Sequence, residues 1–543
     1  MKTIRNLLIL STAIVGIAGV ARADVLKLTT VAQPNAKAEG ASPENVYSPE
    51  FKATVVAEGK MKLENPTKLI SDYGYDANGP LVPAAGDVQA KGHNVEASKT
   101  EPDKNTYLVL EGLKGADAAY NYGTHFVFQG HEGGSETDDK PDGYITRVNL
   151  DADEAHRVTL LADKDTGGAK LPFIDGSTWN PFAQRLLFTG EEGDEGGVWQ
   201  ATLDFPAKVD NLTGVIGIGS YEGIQTDKDG NIWIVEDSGG KGGDKTKNAK
   251  QPNSFVFRFV PTDKADLMKG GKLQALQIMT ADGKPIVFNK DNLEGDILSD
   301  GMKQHYAYGT ALKSKWVLVH DTAKDGTTPF KANDLAKAAL ATPLKRPENG
   351  VFRPGSDFKQ FYYTETGDTN IETEAKEEFG GFGGVFKIEQ STNTADEGTV
   401  SLVYRGNKDR AGFDNIQFAS ADTLLVVEDA GDKLHSQRKF LDNGYALDLT
   451  QDYSKGGEPV RFVAEGRDAS ATIDSALSAG KDTGFQNSGD NEITGIHVSD
   501  GDATASGLLG AKVPKLADKA WRVFFHQQHG ENRLIELSYT AAK

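Results

Sequence analysis

The sequence predicts an all-β protein of radially arranged sheets, a β-propeller of about six blades with loop insertions and an N-terminal extension. Three observations predict it. An acidic–strand–acidic phrase recurs, as Glu222-Gly-Ile-Gln-Thr-Asp-Lys-Asp-Gly-Asn-Ile-Trp-Ile-Val-Glu236-Asp237 and again from Asp414-Asn-Ile-Gln-Phe to Leu-Leu-Val-Val-Glu428-Asp429. Weaker copies run from Thr178-Trp179-Asn180-Pro181 to Glu191-Glu192 and from Arg346-Pro347-Glu348 to Glu365. The 61 glycines are dispersed, as tight turns between short strands require, and helical pattern is scarce. A sandwich has no reason to repeat an acidic motif, and a parallel α/β fold would alternate strands with helices.

The elements follow in order. Residues 1–23 read as an export signal: Lys2 and Arg5, an apolar stretch from Leu7 to Val20, and Ala21-Arg22-Ala23 before Asp24. Paired arginines are missing near the start, which points to the general (Sec-type) export route and a periplasmic or extracellular destination. Residues 24–105 read as an extended arm or edge segment, with strand signals only at Val25–Thr30 and Phe51–Val56. The propeller is expected over 106–543, with strands such as Thr124–Phe128, Gly143–Leu150, Phe255–Val260, Trp316–His320, Gly384–Ile388 and Trp521–Phe525. Helices are expected at Ala265–Lys269 and Asn333–Ala341, and loops over Ser238–Pro252 and Gln451–Asn491. No run after the signal is long enough to span a membrane.

Composition narrows the function. The 543 residues carry no cysteine, which excludes disulfides, thiolate ligands and a cysteine nucleophile. The formal charge is −20, three units more negative once the signal is removed, so nucleic acid is excluded as a natural partner. Gly-x-Ser-x-Gly is absent, which disfavours a serine hydrolase. His131, His320, His526 and His529 fall near strand ends and read first as hydrogen-bonded groups; the five tryptophans read as packing between blades. Carboxylates beside glycines at strand ends, as in Gly130-His131-Glu132-Gly133-Gly134 and Glu191-Glu192-Gly193, suit hard cations such as calcium, which takes about six to eight oxygen ligands.

The ordered set of motifs resembles the PhoX-type alkaline phosphatases, secreted β-propeller phosphatases. Gly130-His131-Glu132 is similar to that family's Asn-His-Glu, Leu187-Phe-Thr-Gly190-Glu191-Glu192 to its Leu-Thr-Cys-Glu-Glu, and Tyr221-Glu222-Gly223 to its His-Glu-Gly. Arg346-Pro347-Glu348, Asp414-Asn415, Glu492-Ile-Thr494-Gly495 and Gln528-His529-Gly530 follow in the family's order, so the resemblance covers about residues 120–540. It implies iron and calcium at one end of the channel, with Glu222 and Glu348 on the metals that bind phosphate. Glu132, Glu191 and Glu192 would be calcium or bridging ligands, Asp414 a further ligand, and Arg346 would hold the phosphate oxygens.

The chain departs from that pattern at three places. Gly190 stands where the family has its iron-binding cysteine, so calcium is the expected cofactor, with iron or another transition metal left open. Nothing around Phe173–Thr178 matches the family's Asn-rich segment, and the twin-arginine signal is missing. Two functions remain: a metal-dependent phosphatase acting on small phosphate esters, or a non-catalytic calcium-binding secreted propeller.

Overall fold

In the computed structural model, residues 24–33, 45–59, 61–74, 100–132, 143–190, 196–466, 492–528 and 532–540 are described. The export-signal segment, Glu191, Glu192 and His529 lie outside them.

Six inner strands form a closed ring: Pro102–Val109, Ile174–Asn180, Tyr221–Thr226, Pro347–Phe352, Phe413–Phe418 and Glu492–Ser499, each packed on the next and the last on the first. Each opens an antiparallel blade, named A to F in that order. The core is not central. It is divided into six apolar layers, one in each gap between adjacent blades. Between blades C and D, Trp233 meets Trp316, Phe352 and Phe361 at ring distances of 5.0–5.2 Å. The tryptophan there is packing, as the sequence implied.

Hydrogen bonding joins the blades into five sheets rather than six. The segment between blades C and D supplies an eleven-residue strand, Ala311–Asp321, that pairs with Gly271–Ile278 on one edge and Glu397–Arg405 on the other. Two outer edges that would otherwise be open are thereby covered, and C and D become one nine-stranded sheet.

The N-terminal segment also enters the sheets. Val46–Tyr47 extends blade E, and Phe51–Ala57 is the outer strand of blade F, paired with Arg533–Tyr539. The chain from Val25 to Thr30 forms no strand, yet it runs along blade E, where Leu26 N donates to Thr423 Oγ1. The expected loop Gln451–Asn491 contains a strand, Val460–Ala464, whose short run was hidden among polar neighbours. The expected helix at Asn333–Ala341 is Ala332–Ala338; the one at Ala265–Lys269 is a single 3₁₀ turn, Leu267–Lys269. Short helices at Leu293–Ile297, Asp300–His305, Thr322–Asp325 and Gly431–Arg438 have too few turns to leave a periodic signal.

The acidic phrase has two structural uses. Asp227 closes the hairpin of blade C, accepting from Asn231 N, Asn231 Nδ2, Trp233 Nε1 and Asn393 Nδ2 at 2.9–3.2 Å. Glu236, Glu365 and Glu428, at the ends of the second strands, are buried and met by protein donors. Glu365 accepts from Tyr306 OH and Lys345 N and pairs with His305; Glu428 pairs with Arg438.

Closure of blade F by the N-terminal strand predicts a large effect from one buried ring. Phe51 packs edge-on to Phe462 and Tyr539, at 5.9 and 5.7 Å. Phe51→Ala should cost about 3–5 kcal/mol, read as a lower denaturant midpoint with an unchanged slope. An unchanged midpoint would mean that this strand does not hold the ring shut.

Candidate metal centre

Each inner strand carries a bulge, at the same place in blades A to E. In blades A to E two residues oppose one on the second strand: Asp103-Lys104, Asp175-Gly176, Glu222-Gly223, Glu348-Asn349 and Asp414-Asn415. Blade F has the same bulge at Gly495-Ile496, with Glu492 before it. A bulge re-aims a side chain that a regular strand would direct into the blade. Five carboxylates are thereby presented at one level of the ring.

Neighbouring blades pin these bulges. Thr189 Oγ1 donates to the Glu222 carbonyl and Thr364 Oγ1 to the Asp414 carbonyl, both at 2.6 Å. Close approach requires glycine at two of the bulges. A Cβ on Gly176 would lie 2.1 Å from the Glu222 carbonyl oxygen, and one on Gly223 would lie 2.7 Å from Asn349 Cα.

Two groups of carboxylates result. Glu222, Asp237 and Glu348 bring ligand oxygens within 4.8 Å of one another, and so do Asp103, Glu132 and Asp175. Of the residues singled out in the sequence, Glu222 and Glu348 come together and Glu132 joins the second group. The charge of Asp414 acts on Asp103 of one group and on Glu348 of the other, and Lys104 offsets it. Asp103, Asp175, Asp237 and Lys104 were not singled out. Asp237 ends the repeated phrase itself. Asp103 and Asp175 share a short signal, an acid followed by a lysine or glycine at the start of a β run.

The electrostatics call for cations. Burial, then Asp175 and Asp414, hold the Asp103 carboxyl well above the usual range. Burial, then Asp237, do the same to Glu348, against the pull of Arg346. Glu492 is raised by burial and by Asp429, Glu132, Asp414 and Asp103. Asp103 Oδ1 is buried without a hydrogen-bond partner among the described residues. An orphaned carboxylate oxygen inside an all-oxygen group fits a hard cation.

A thiolate-bound iron does not fit. Besides the absence of cysteine, a Cβ on Gly190 would lie 2.6 Å from Pro172 Cγ and 3.2 Å from Trp199 Cζ3. The position is filled by packing.

Arg346 stands at the edge of the first group. Its Nε and Nη2 donate to Asp237 at 2.6–2.9 Å, and Nη2 lies 3.4 Å from Glu348 Oε1. The Nη1 edge is uncommitted among the described residues. The backbone holds it at φ 58°, a left-handed conformation unusual for a non-glycine residue and one found at functional sites. Thr366 donates its hydroxyl to Glu348 Oε1. Of the candidate histidines, the three that are described, His131, His320 and His526, are structural. His131 stacks on Tyr144 and bonds Thr146 Oγ1, and burial keeps it neutral; His526, pushed down to about 3, bonds Tyr73; His320 stacks on Phe330.

Comparison with known proteins follows this geometry. Residues 243–505 match the family described as alkaline phosphatase PhoX, a span that contains Arg346, Glu348 and Asp414. No curated protein matches. Among solved structures, PhoX of Pseudomonas fluorescens in complex with vanadate, a transition state analogue, is 12% identical. The match covers 95% of this chain and 98% of that one with a TM-score of 0.55. A periplasmic gluconolactonase of Pseudomonas aeruginosa is 12% identical over 74% of this chain and 96% of its own, with a TM-score of only 0.28. In sequence over residues 243–505, and in fold over nearly its whole length, the chain is similar to the alkaline phosphatase PhoX family.

Proposed function

We propose that the chain is an exported phosphatase that hydrolyses small phosphate esters at a centre of hard cations held by the channel carboxylates. The observation that carries this reading is Arg346, within the stretch that matches the phosphatase family, fixed beside Asp237 and Glu348, which group with Glu222. The fold relative is seen in complex with vanadate, a transition state analogue, and the carboxylate ring of this chain is read as the phosphoryl site.

In this reading Glu222, Asp237 and Glu348 hold one cation, and Asp103, Glu132 and Asp175 hold a second, with calcium the ion best matched to oxygen-only donors. Asp414 adds negative charge that acts on both groups. Glu191 and Glu192 remain candidate ligands from sequence alone. Bound cations supply charge neutralisation at the phosphoryl group and a water of lowered pKa. The protein does the rest. Asp237 fixes the guanidinium plane of Arg346, so that the Nη1 edge, uncommitted among the described residues, meets the phosphoryl oxygens without reorganising as charge develops. Thr366 orients the Glu348 carboxylate. Nucleic acid is not proposed as substrate, because the surface charge repels it. Among the described residues no helix is long and apolar enough to cross a membrane.

One observation favours the second reading, a non-catalytic calcium-binding propeller: Gly190 and its packing leave no place for the family's thiolate. Turnover separates the two. With a chromogenic phosphomonoester and added calcium, the wild-type chain should be active. Arg346→Ala should lower kcat/KM by about 100–1,000-fold, and added metal should not rescue it. Glu348→Gln should be rescued in part by excess metal. A chain inactive with each of calcium, manganese, magnesium and iron would leave the binding propeller standing.

The buried acids give a pH dependence. Asp414 is pushed up to about 7 from an ordinary 3.8, by burial and by Asp429, against Lys104 and the Asn415 hydrogen bonds. A folded-state pKa above the unfolded value means that the metal-free fold binds more protons than the unfolded chain. The contribution of Asp414 to stability is therefore full below about pH 4 and is lost as pH rises through about 7. Melting curves without calcium should show this fall, and saturating calcium should remove it. Parallel pH profiles with and without calcium would contradict cation binding at these acids.

A further inference from the structure

The third residue of each inner strand, the second of the bulge in blades A to E, lines the ring, and blade A puts a lysine there. Lys104 is buried, 2% exposed. Its Nζ donates to Asn349 Oδ1 at 3.3 Å, Asn415 Oδ1 at 3.1 Å and the Ile496 carbonyl at 3.1 Å. The three acceptors come from the bulges of blades D, E and F. An ammonium has three donors, and all three are used across the ring. Asp103, Asp175 and Asp414 are the charges that face it.

This donor set is unusual for a lysine. Two amide oxygens and a carbonyl, with Asp414 alongside, form the kind of oxygen cage that a hard cation takes. Asn415 also donates to both oxygens of Asp414, at 2.7 and 2.8 Å, which ties that carboxylate to the cage. Blades B and C have glycine at the equivalent place, so no other side chain of that level carries positive charge.

We propose that Lys104 is a resident cation of the channel: its ammonium occupies an oxygen cage built from blades D, E and F and so limits how many metal ions the ring takes up. It is a positioning residue. Next to Asp103 in sequence and bonded to the neighbours of Glu348 and Asp414, it fixes the separation of the two carboxylate groups. The inference concerns metal uptake and stands whether or not the chain hydrolyses phosphate esters.

The test is cation stoichiometry of the full exported chain, measured by equilibrium dialysis against calcium and elemental analysis, with no substrate present. Lys104→Met keeps the length of the stem and removes the charge. It should bind one more calcium ion per chain than wild type at saturation, and its melting temperature should rise more with calcium. Lys104→Arg, which keeps the charge, should bind the same number as wild type. A folded Lys104→Met protein with wild-type stoichiometry would overturn the proposal. So would a Lys104→Met chain that no calcium concentration brings to the folded state while Lys104→Arg folds, since the cage would then accept only an ammonium.

Discussion

The structure depends on the repeated bulge that begins the inner strands of blades A to E. Without it, the period of two along a strand would send Asp103, Asp175, Glu222, Glu348 and Asp414 toward the apolar layers between blades. The additional residue turns them to the ring instead. The cost is mutual repulsion of buried like charges, visible as the raised carboxyls of Asp103, Glu348, Asp414 and Glu492. A fold without a single disulfide holds this arrangement because the six apolar layers are separate from the charged ring. Charge and core do not compete for the same space.

A second division of labour runs through the paired acids. In Glu236-Asp237 and Glu428-Asp429 the first member ends the second strand and turns into the blade, where protein donors meet it. The second member lies past the strand and belongs to the channel, as Asp237 does with Arg346. Adjacent residues of one chemical type thus serve folding and site respectively. The protein supplies several donors to the first kind, while Asp237 meets Arg346 beside the ring carboxylates. Lys104 and Arg346 meet part of the remaining charge, one deep in the ring and one at its edge.

Much of this was legible in the sequence, for a physical reason. Glu222, Glu348 and Asp414 each begin a β-branched or aromatic run, so the phrase stands out and the propeller with it. Asp103 and Asp175 obey the same bulge, but Glu101-Pro-Asp-Lys-Asn-Thr reads as a polar turn and Phe-Ile-Asp-Gly-Ser as a loop. Lys104 was illegible because its role comes from acceptors between 245 and 392 residues away. The fusion of blades C and D through Ala311–Asp321 was hidden likewise, since a local strand signal does not say which two edges it will join. Resemblance to a phosphatase family identified the fold and directed attention to Arg346, while the departure at Gly190 found its explanation only in the packing of Pro172 and Trp199.

The ring carboxylates are proposed as cation ligands in two groups. Anomalous diffraction from crystals grown with manganese, a hard cation with a usable signal, tests this most directly. One peak is expected among Glu222, Asp237 and Glu348 and another among Asp103, Glu132 and Asp175. Peaks confined to surface acids, with the ring carboxylates protonated and free of metal at neutral pH, would contradict it.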